Sequence, residues 1–186
     1  MRGSTPVRIE PKLSFEHVRQ LPDDGKGYAM AEGELLATPA PKPRHQVIVA
    51  RLLALLLEAA EKTGGVALTA PTDVVLSPYD VVQPDLLFVS VERLSILGEE
   101  SVQGAPDLVV EVLPETTRHW DLGVKLRLYA RYGVRWYWAV DPENRCVHVF
   151  ERAGDALDTR ATLSEEDDLT IARFPGVSRK VAELFR

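Results

Sequence analysis

Apolar positions recur along this chain in two rhythms. In HQVIVARLLALLLEAAEKTGG, which starts at His45, Leu and Ala fill most of every turn, and the pattern predicts the longest helix of the chain, stopped by Gly64-Gly65. A helix apolar on most sides is expected to lie largely buried. Behind it the rhythm shortens: VALTAPTDVVLS, VVQPDLLFVS and PDLVVEVL read as strand-like runs separated by Pro, Ser and Tyr-Asp, with VERLSIL as a helical turn before the last. The 3.6-residue period returns in HWDLGVKLRLYARYG, which predicts a second helix with Leu122, Leu126, Tyr129 and Tyr132 on one face and Gly133 at its C-cap. RWYWAVDPENRCVHVFER then predicts a hairpin turning at Asp141-Pro-Glu-Asn144.

The ends carry weaker signals. Residues 1–12 hold Pro6 and Pro11 without periodicity and are expected to form an extended arm. LSFEHVRQL predicts a short helix with Ser14 as its cap, ended at Pro22-Asp23-Asp24-Gly25, and GYAMAEGELLATPAP a strand or hairpin around Gly33. The tail through LTIARFPGVSRKVAELFR supports one further short strand and a small C-terminal helix. This order of elements implies one α/β domain over residues 13–186, a mixed β-sheet flanked by helices.

Composition narrows the class. At 186 residues, 45% apolar and 27% charged, the chain suits one domain with a real core, and no apolar run approaches the roughly 20 residues of a membrane helix. The N-terminus shows no apolar secretory segment, which makes the cytoplasm the expected compartment. A net charge of −6 argues against a broadly cationic nucleic-acid binder, yet it does not exclude a metal nuclease whose acids sit in the cleft and whose arginines line a rim. The cations are indeed uneven, with Lys42, Arg44 and His45 in one cluster and Arg118, His119, Lys125, Arg127, Arg131 and Arg135 in another.

The one feature that demands chemistry is an acid inside a valine run. Within PDLVVEV the two-residue period puts Asp107, Val109, Glu111 and Leu113 on one face and Leu108, Val110 and Val112 on the other. A buried carboxylate without a partner costs several kcal/mol or neutralises itself. Asp85, opening LLFV after Pro84, supplies a second acid; if the two runs are neighbours, Asp85 and Glu111 converge on one divalent ion, for which Mg²⁺ is suited because it takes one or two protein carboxylates. Lys125 has two readings. Four residues after Asp121 on a helix it makes a surface pair worth about 0.3 kcal/mol, or it reaches into the acids to hold water or stabilise charge.

Taken together in order, EGEL (32–35), PRHQVIVARLLALL (43–56), QPDLLFV (83–89), GAPDLVVEVL (104–113), TRHWDLGVKLRLYARYGV (117–134) and YWAVDP (137–142) resemble the PD-(D/E)-x-K nuclease superfamily, and within it the family described as putative restriction endonucleases or domains of unknown function. The resemblance covers roughly residues 13–150. It implies a restriction-endonuclease-like core, Asp85 and Glu111 as metal ligands, Lys125 as the catalytic lysine, Glu34 as an accessory acid, and a Mg²⁺- or Mn²⁺-dependent endonuclease acting on DNA as a homodimer. The superfamily's lysine two positions after the second acid is Leu113 here, so the reading transfers that role to Lys125. The stretch Leu113-Pro-Glu-Thr-Thr117 also lacks the serine that related sequences carry after the second acid.

The remaining polar residues attract plainer readings. Asp107 reads as a strand-entry or turn residue behind Pro106, with a direct metal role as the alternative, and His45 either caps its helix, meets phosphate or is structural. His119 and His148 show no metal-ligand spacing with each other or with Cys146, a small core or strand residue, so no zinc site is expected. Trp136, Tyr137 and Trp138 must alternate sides of a strand, one face packing on a helix. No Gly-x-Ser-x-Gly elbow or Gly-rich phosphate loop occurs. Two rival functions stay open: a nuclease-like fold that grips nucleic acid or a partner without cutting, and a metal-free carboxylate-pair hydrolase acting on sugars.

Overall fold

The computed structural model describes residues 13–20, 27–38, 40–116, 118–170 and 177–186. The expected arm over 1–12 and the stop at Pro22-Asp23-Asp24-Gly25 lie outside them. Helix α1 (Phe15–Arg19) precedes the hairpin β1 (Gly27–Ala31) and β2 (Glu34–Thr38), whose turn holds Glu32 and Gly33 at positive φ. Ser14 meets the His17 ring at 2.8 Å instead of capping α1 with its side chain. Helix α2 (Pro43–Thr63) follows, with Pro43 in its first turn, where the missing N–H costs nothing. It ends where Gly64 adopts the left-handed conformation and returns its N–H to Ala60 O at 2.9 Å. Gly65 is required for another reason: a Cβ there would fall 2.4 Å from Phe88 Cζ and 2.8 Å from Val89 O.

Prolines mark where the chain changes sheets. VALTAPTDVVLS divides at Ala70-Pro71 into β3 (Val66–Thr69) and β4 (Val74–Ser77), and VVQPDLLFVS divides at Pro84-Asp85 into β5 (Asp80–Val82) and β6 (Leu86–Val89). A proline cannot donate to a ladder, so each break frees the chain to join a second sheet. Next come a 3₁₀ helix (Val91–Ile96), β7 (Val102–Gln103), β8 (Leu108–Val112), a π-helix (Trp120–Lys125), α3 (Leu126–Tyr132), β9 (Trp136–Asp141) and β10 (Cys146–Ala153). The expected single sheet is thus two: five strands in the order β2-β1-β5-β4-β7, and six in the order β11-β10-β9-β8-β6-β3, where β11 spans Ala156–Leu163. The larger is mixed, with β8 and β9 parallel and its other pairs antiparallel. Its edge strand β11 (Ala156–Leu163) and the small pair β12 (Asp168–Thr170) and β13 (Ser178–Lys180) exceed the single strand expected of the tail. In β11 only Leu157 is buried, so ALDTRATL carries little apolar signal. The expected C-terminal helix is a 3₁₀ turn, Val181–Phe185.

Both faces of the six-stranded sheet are covered. Ile48, Leu52, Leu55 and Leu56 of α2 pack with Leu86, Phe88, Leu108, Val110, Val112 and Trp138 on one face. Leu128 and Tyr129 of α3 pack with Leu87, Val109, Leu113 and Tyr137 on the other. The face assignment read from PDLVVEV holds, with the difference that the Glu111 side is as deeply covered as its opposite. Helix α2 is less buried than its composition suggests, because its buried residues form one stripe and Val47 and Leu57 are each 46% exposed.

Asp80 ties the smaller sheet to α3. Its carboxylate accepts the Glu32 N–H at 2.7 Å, the Ser77 hydroxyl at 2.8 Å and the Tyr132 hydroxyl at 2.6 Å. Burial works against its charged form, but the Tyr132, Glu32 and Ser77 donors outweigh burial and hold its pKa below the usual carboxylate range. Asp80→Ala should therefore cost about 2–3 kcal/mol in urea unfolding, the scale for stranding buried donors. Because the folded pKa is depressed, this contribution is complete above the unfolded value of about 3.9 and is lost as pH falls through the folded one. A wild-type minus Asp80→Ala stability difference that does not shrink in acid would contradict this role.

Candidate functional site

Glu111 sits in the middle of β8, opposite Ala139 of β9, and is 4% exposed. Asp85 stands one residue before β6. Since Leu86 pairs with Val110, carrying the antiparallel register one residue further sets Asp85 opposite Glu111, so the two strand-borne acids do lie side by side. Asp85 Oδ2 accepts the Val112 N–H at 2.7 Å and lies 3.1 Å from His45 Nε2. His45 belongs to the first turn of α2; burial pulls its pKa down, but the bond to Asp85 and the charge of Glu111 outweigh burial and raise it.

Lys125 reaches both Asp121 and the strand acid Glu111. Its Nζ lies 2.8 Å from Asp121 Oδ1 and 2.9 Å from Glu111 Oε1, and the ammonium is nearly enclosed. The i,i+4 partner is thus no surface acid: Asp121 is 3% exposed, and the segment carrying both residues is a π-helix leading into α3, not the uniform α-helix its period predicts. Tyr129, on the next turn, donates its hydroxyl to the same Glu111 oxygen at 2.7 Å. Tyr137 donates to Asp121 O at 3.2 Å.

Burial and charge together set the protonation of these groups. Burial lifts the Glu111 pKa to about 7, against the pull of Lys125, and Asp121 and Asp85 push the same way as burial. For Lys125 burial favours loss of the proton, but Glu111 and Asp121 overcome it and hold the ammonium charged well above its usual range. Tyr129 and Tyr137 stay protonated, their pKa raised first by burial and then by Glu111.

Three carboxylates against Lys125 and a His45 ring whose pKa Asp85 and Glu111 raise leave the site short of positive charge. Asp85 Oδ1 and Glu111 Oε2 have no hydrogen-bond partner among the described residues, while the companion oxygen of each acid is fixed by protein donors. Oxygen-only ligands, one per acid, with a charge deficit suit a hard divalent cation, so the residues fit Mg²⁺ or Mn²⁺. Neither ion would need Asp107: that carboxylate, four residues before Glu111 and just ahead of β8, accepts the Ser90 N–H at 2.8 Å and pairs with Arg93.

Glu34, the accessory candidate, opens β2 and is exposed. It makes no hydrogen bond or ion pair with Asp85, Glu111 or Lys125 among the described residues. It lines a cavity of about 260 Å³ between the β1–β2 hairpin and the helices, together with Glu32, Trp120, Arg127 and Arg131. Asp121 and Tyr129 were not singled out as site residues from sequence: the acid passes for a surface partner of Lys125 and the tyrosine for a core aromatic. Their common signal is a spacing of four on either side of Lys125. Arg118, from the basic cluster, pairs with Asp141 at the end of β9, and Arg44 at the start of α2 donates to Pro142 O. Both guanidinium groups therefore stand at the end of β9 beyond the acids' row.

A family model described as "Uma2: Putative restriction endonuclease" matches residues 15–182. Among solved structures, a putative nuclease belonging to DUF820 from Anabaena variabilis ATCC 29413 superposes with a TM-score of 0.76 at 15% identity, covering 93% of this chain and 97% of that one. It shows the shared fold. No curated protein matches the sequence.

Tyr129→Phe should leave the fold intact and remove one donor from a buried acid. The expected loss is about 1–2 kcal/mol by urea denaturation, and an unchanged midpoint would show that the hydroxyl does not hold Glu111.

Proposed function

The chain belongs to the Uma2 family of putative restriction endonucleases, and from that premise we propose that it is a divalent-metal-dependent endonuclease hydrolysing DNA phosphodiester bonds. The observation that carries the reading is the Lys125 ammonium 2.9 Å from Glu111, on the row where Asp85 and Glu111 stand opposed. Asp85 and Glu111 would hold Mg²⁺ or Mn²⁺ through the oxygens that protein donors leave open. The bound ion supplies Lewis acidity toward a phosphoryl oxygen and lowers the pKa of water.

The chain's own groups divide the remaining work. Lys125 is held protonated by two carboxylates, so it acts as a donor and a charge, orienting the attacking water or neutralising charge that develops on the phosphoryl oxygens. Asp121 keeps that ammonium aimed at Glu111. Tyr129 and His45 each fix one oxygen of an acid, which points the other outward. Arg44 and Arg118 provide cations at the rim for a phosphate backbone, which reconciles the substrate with an acidic chain. A binding module that grips nucleic acid without cutting draws its support from Leu113, buried where the superfamily's lysine stands; the reach of Lys125 favours the enzyme.

Asp85→Ala and Glu111→Ala should each abolish Mn²⁺ binding by calorimetry and cleavage of plasmid DNA. Lys125→Met should keep Mn²⁺ binding while losing about 10²-fold or more in cleavage rate. Cleavage at the wild-type rate by either acid variant would overturn the assignment, and activity that persists in excess chelator would move it to metal-free hydrolysis.

A further inference from the structure

We propose that Asp141, Cys146 and His148 form a second metal site of the zinc class, separate from the Asp85 and Glu111 pair. Spacing along the chain gave no reason to expect zinc. The hairpin supplies one. Asp141 and Cys146 are direct partners in the β9–β10 ladder, and His148, two residues beyond Cys146, points to the same face. Cys146 Sγ lies 3.8 Å from His148 Nε2, and His148 Nε2 lies 3.9 Å from Asp141 Oδ2; all the ligand atoms fall within 4.8 Å of one another. Bonds of about 2.3 Å to sulfur and 2.0–2.1 Å to nitrogen or oxygen, set tetrahedrally, give ligand separations of roughly 3.4–3.6 Å. The two separations from His148 need contractions of roughly 0.2–0.6 Å, and the Cys146–Asp141 separation, within 4.8 Å, one of at most about 1.3 Å, to close the set around one ion.

The supports of these ligands are already in place. His148 Nδ1 lies 3.1 Å from Thr162 Oγ1, and the tautomer that donates Nδ1–H to this oxygen presents the Nε2 lone pair to Cys146 and Asp141. Asp141 Oδ1 accepts the backbone N–H groups of Glu143 and Asn144, each at 3.1 Å, and Oδ2 accepts Asn144 Nδ2 at 2.8 Å. A thiolate, an imidazole and one carboxylate select Zn²⁺ or Co²⁺ over Mg²⁺. Three protein ligands leave a fourth position for water.

One cation already competes. Arg118 pairs with Asp141 Oδ2, but its side chain is 35% exposed, so it can swing into solvent when a metal enters. Metal and guanidinium therefore exchange on Asp141. The site is distinct from the acid pair: Glu111, Ala139 and His148 are successive partners across β8, β9 and β10, which separates His148 from Glu111 by two strand spacings, roughly 10 Å.

The test uses the full chain, kept reduced without added thiol and titrated with Co²⁺ and then Zn²⁺. Wild type should develop the near-ultraviolet thiolate-to-cobalt absorption and lose it when Zn²⁺ displaces Co²⁺. Cys146→Ser and His148→Ala should abolish it, whereas an Asp85→Ala, Glu111→Ala double variant should retain it. Arg118→Met should bind Zn²⁺ about tenfold more tightly. Absence of the absorption in wild type would overturn the site without reliance on any variant. So would its survival in Cys146→Ser and His148→Ala. An Arg118→Met protein that binds no tighter would overturn the exchange.

Discussion

The ammonium of Lys125, shared between Glu111 and Asp121, is the interaction on which the centre of this molecule depends. Three acids inside an α/β core would each carry a large desolvation cost, and one lysine supplies only one compensating charge. The remainder of the compensation is distributed over the Tyr129 hydroxyl on Glu111 and the Val112 N–H and His45 on Asp85. Such a network is stable enough to fold and still short of positive charge. A divalent ion of the kind proposed would relieve that condition, so that stability and proposed chemistry would rest on the same contacts.

Geometry follows from the sheet. The parallel pairing of β8 and β9 within a largely antiparallel sheet requires a crossover between them, and that crossover is the segment carrying Asp121, Lys125 and Tyr129. Its return over the sheet lays the lysine across the middle of β8. Asp80 does a comparable service from the other side: by binding the β1–β2 turn and Tyr132 together, it holds the wall bearing Glu34 against the helices that carry Trp120 and Arg131. Glu111 thus anchors the crossover to β8, and Asp80 anchors the hairpin to α3.

Much of this was legible in the residues. Period-two alternation placed Glu111 and Leu113 on one side of β8, a lone acid among valines announced a centre needing compensation, and Gly64-Gly65 marked the end of α2. What escaped was most of what depends on pairing between distant segments. Pro84 was visible, but not that β5 and β6 on its two sides join different sheets. Edge strand β11 was missed because its one buried side chain leaves no apolar pattern. Cys146 and His148 looked unrelated by ligand spacing on a helix or loop, while on a strand a spacing of two puts them on one face; only the partner strand adds Asp141.

The turn at Trp120–Lys125 is wound more widely than the α-helix it continues into. A wide turn takes one more residue than an α-turn, so everything before it is rotated by about 100° relative to α3 from where regular winding would put it. In comparisons by length alone, that residue would look like an insertion to be tolerated or trimmed. Here it sets the phase between two halves of one crossover, with Trp120 and Asp121 on one side and Lys125 and Tyr129 on the other. A chain one residue shorter in this stretch would not be a compact version of the same centre, because its acid and its lysine would no longer be aimed at the same place on β8.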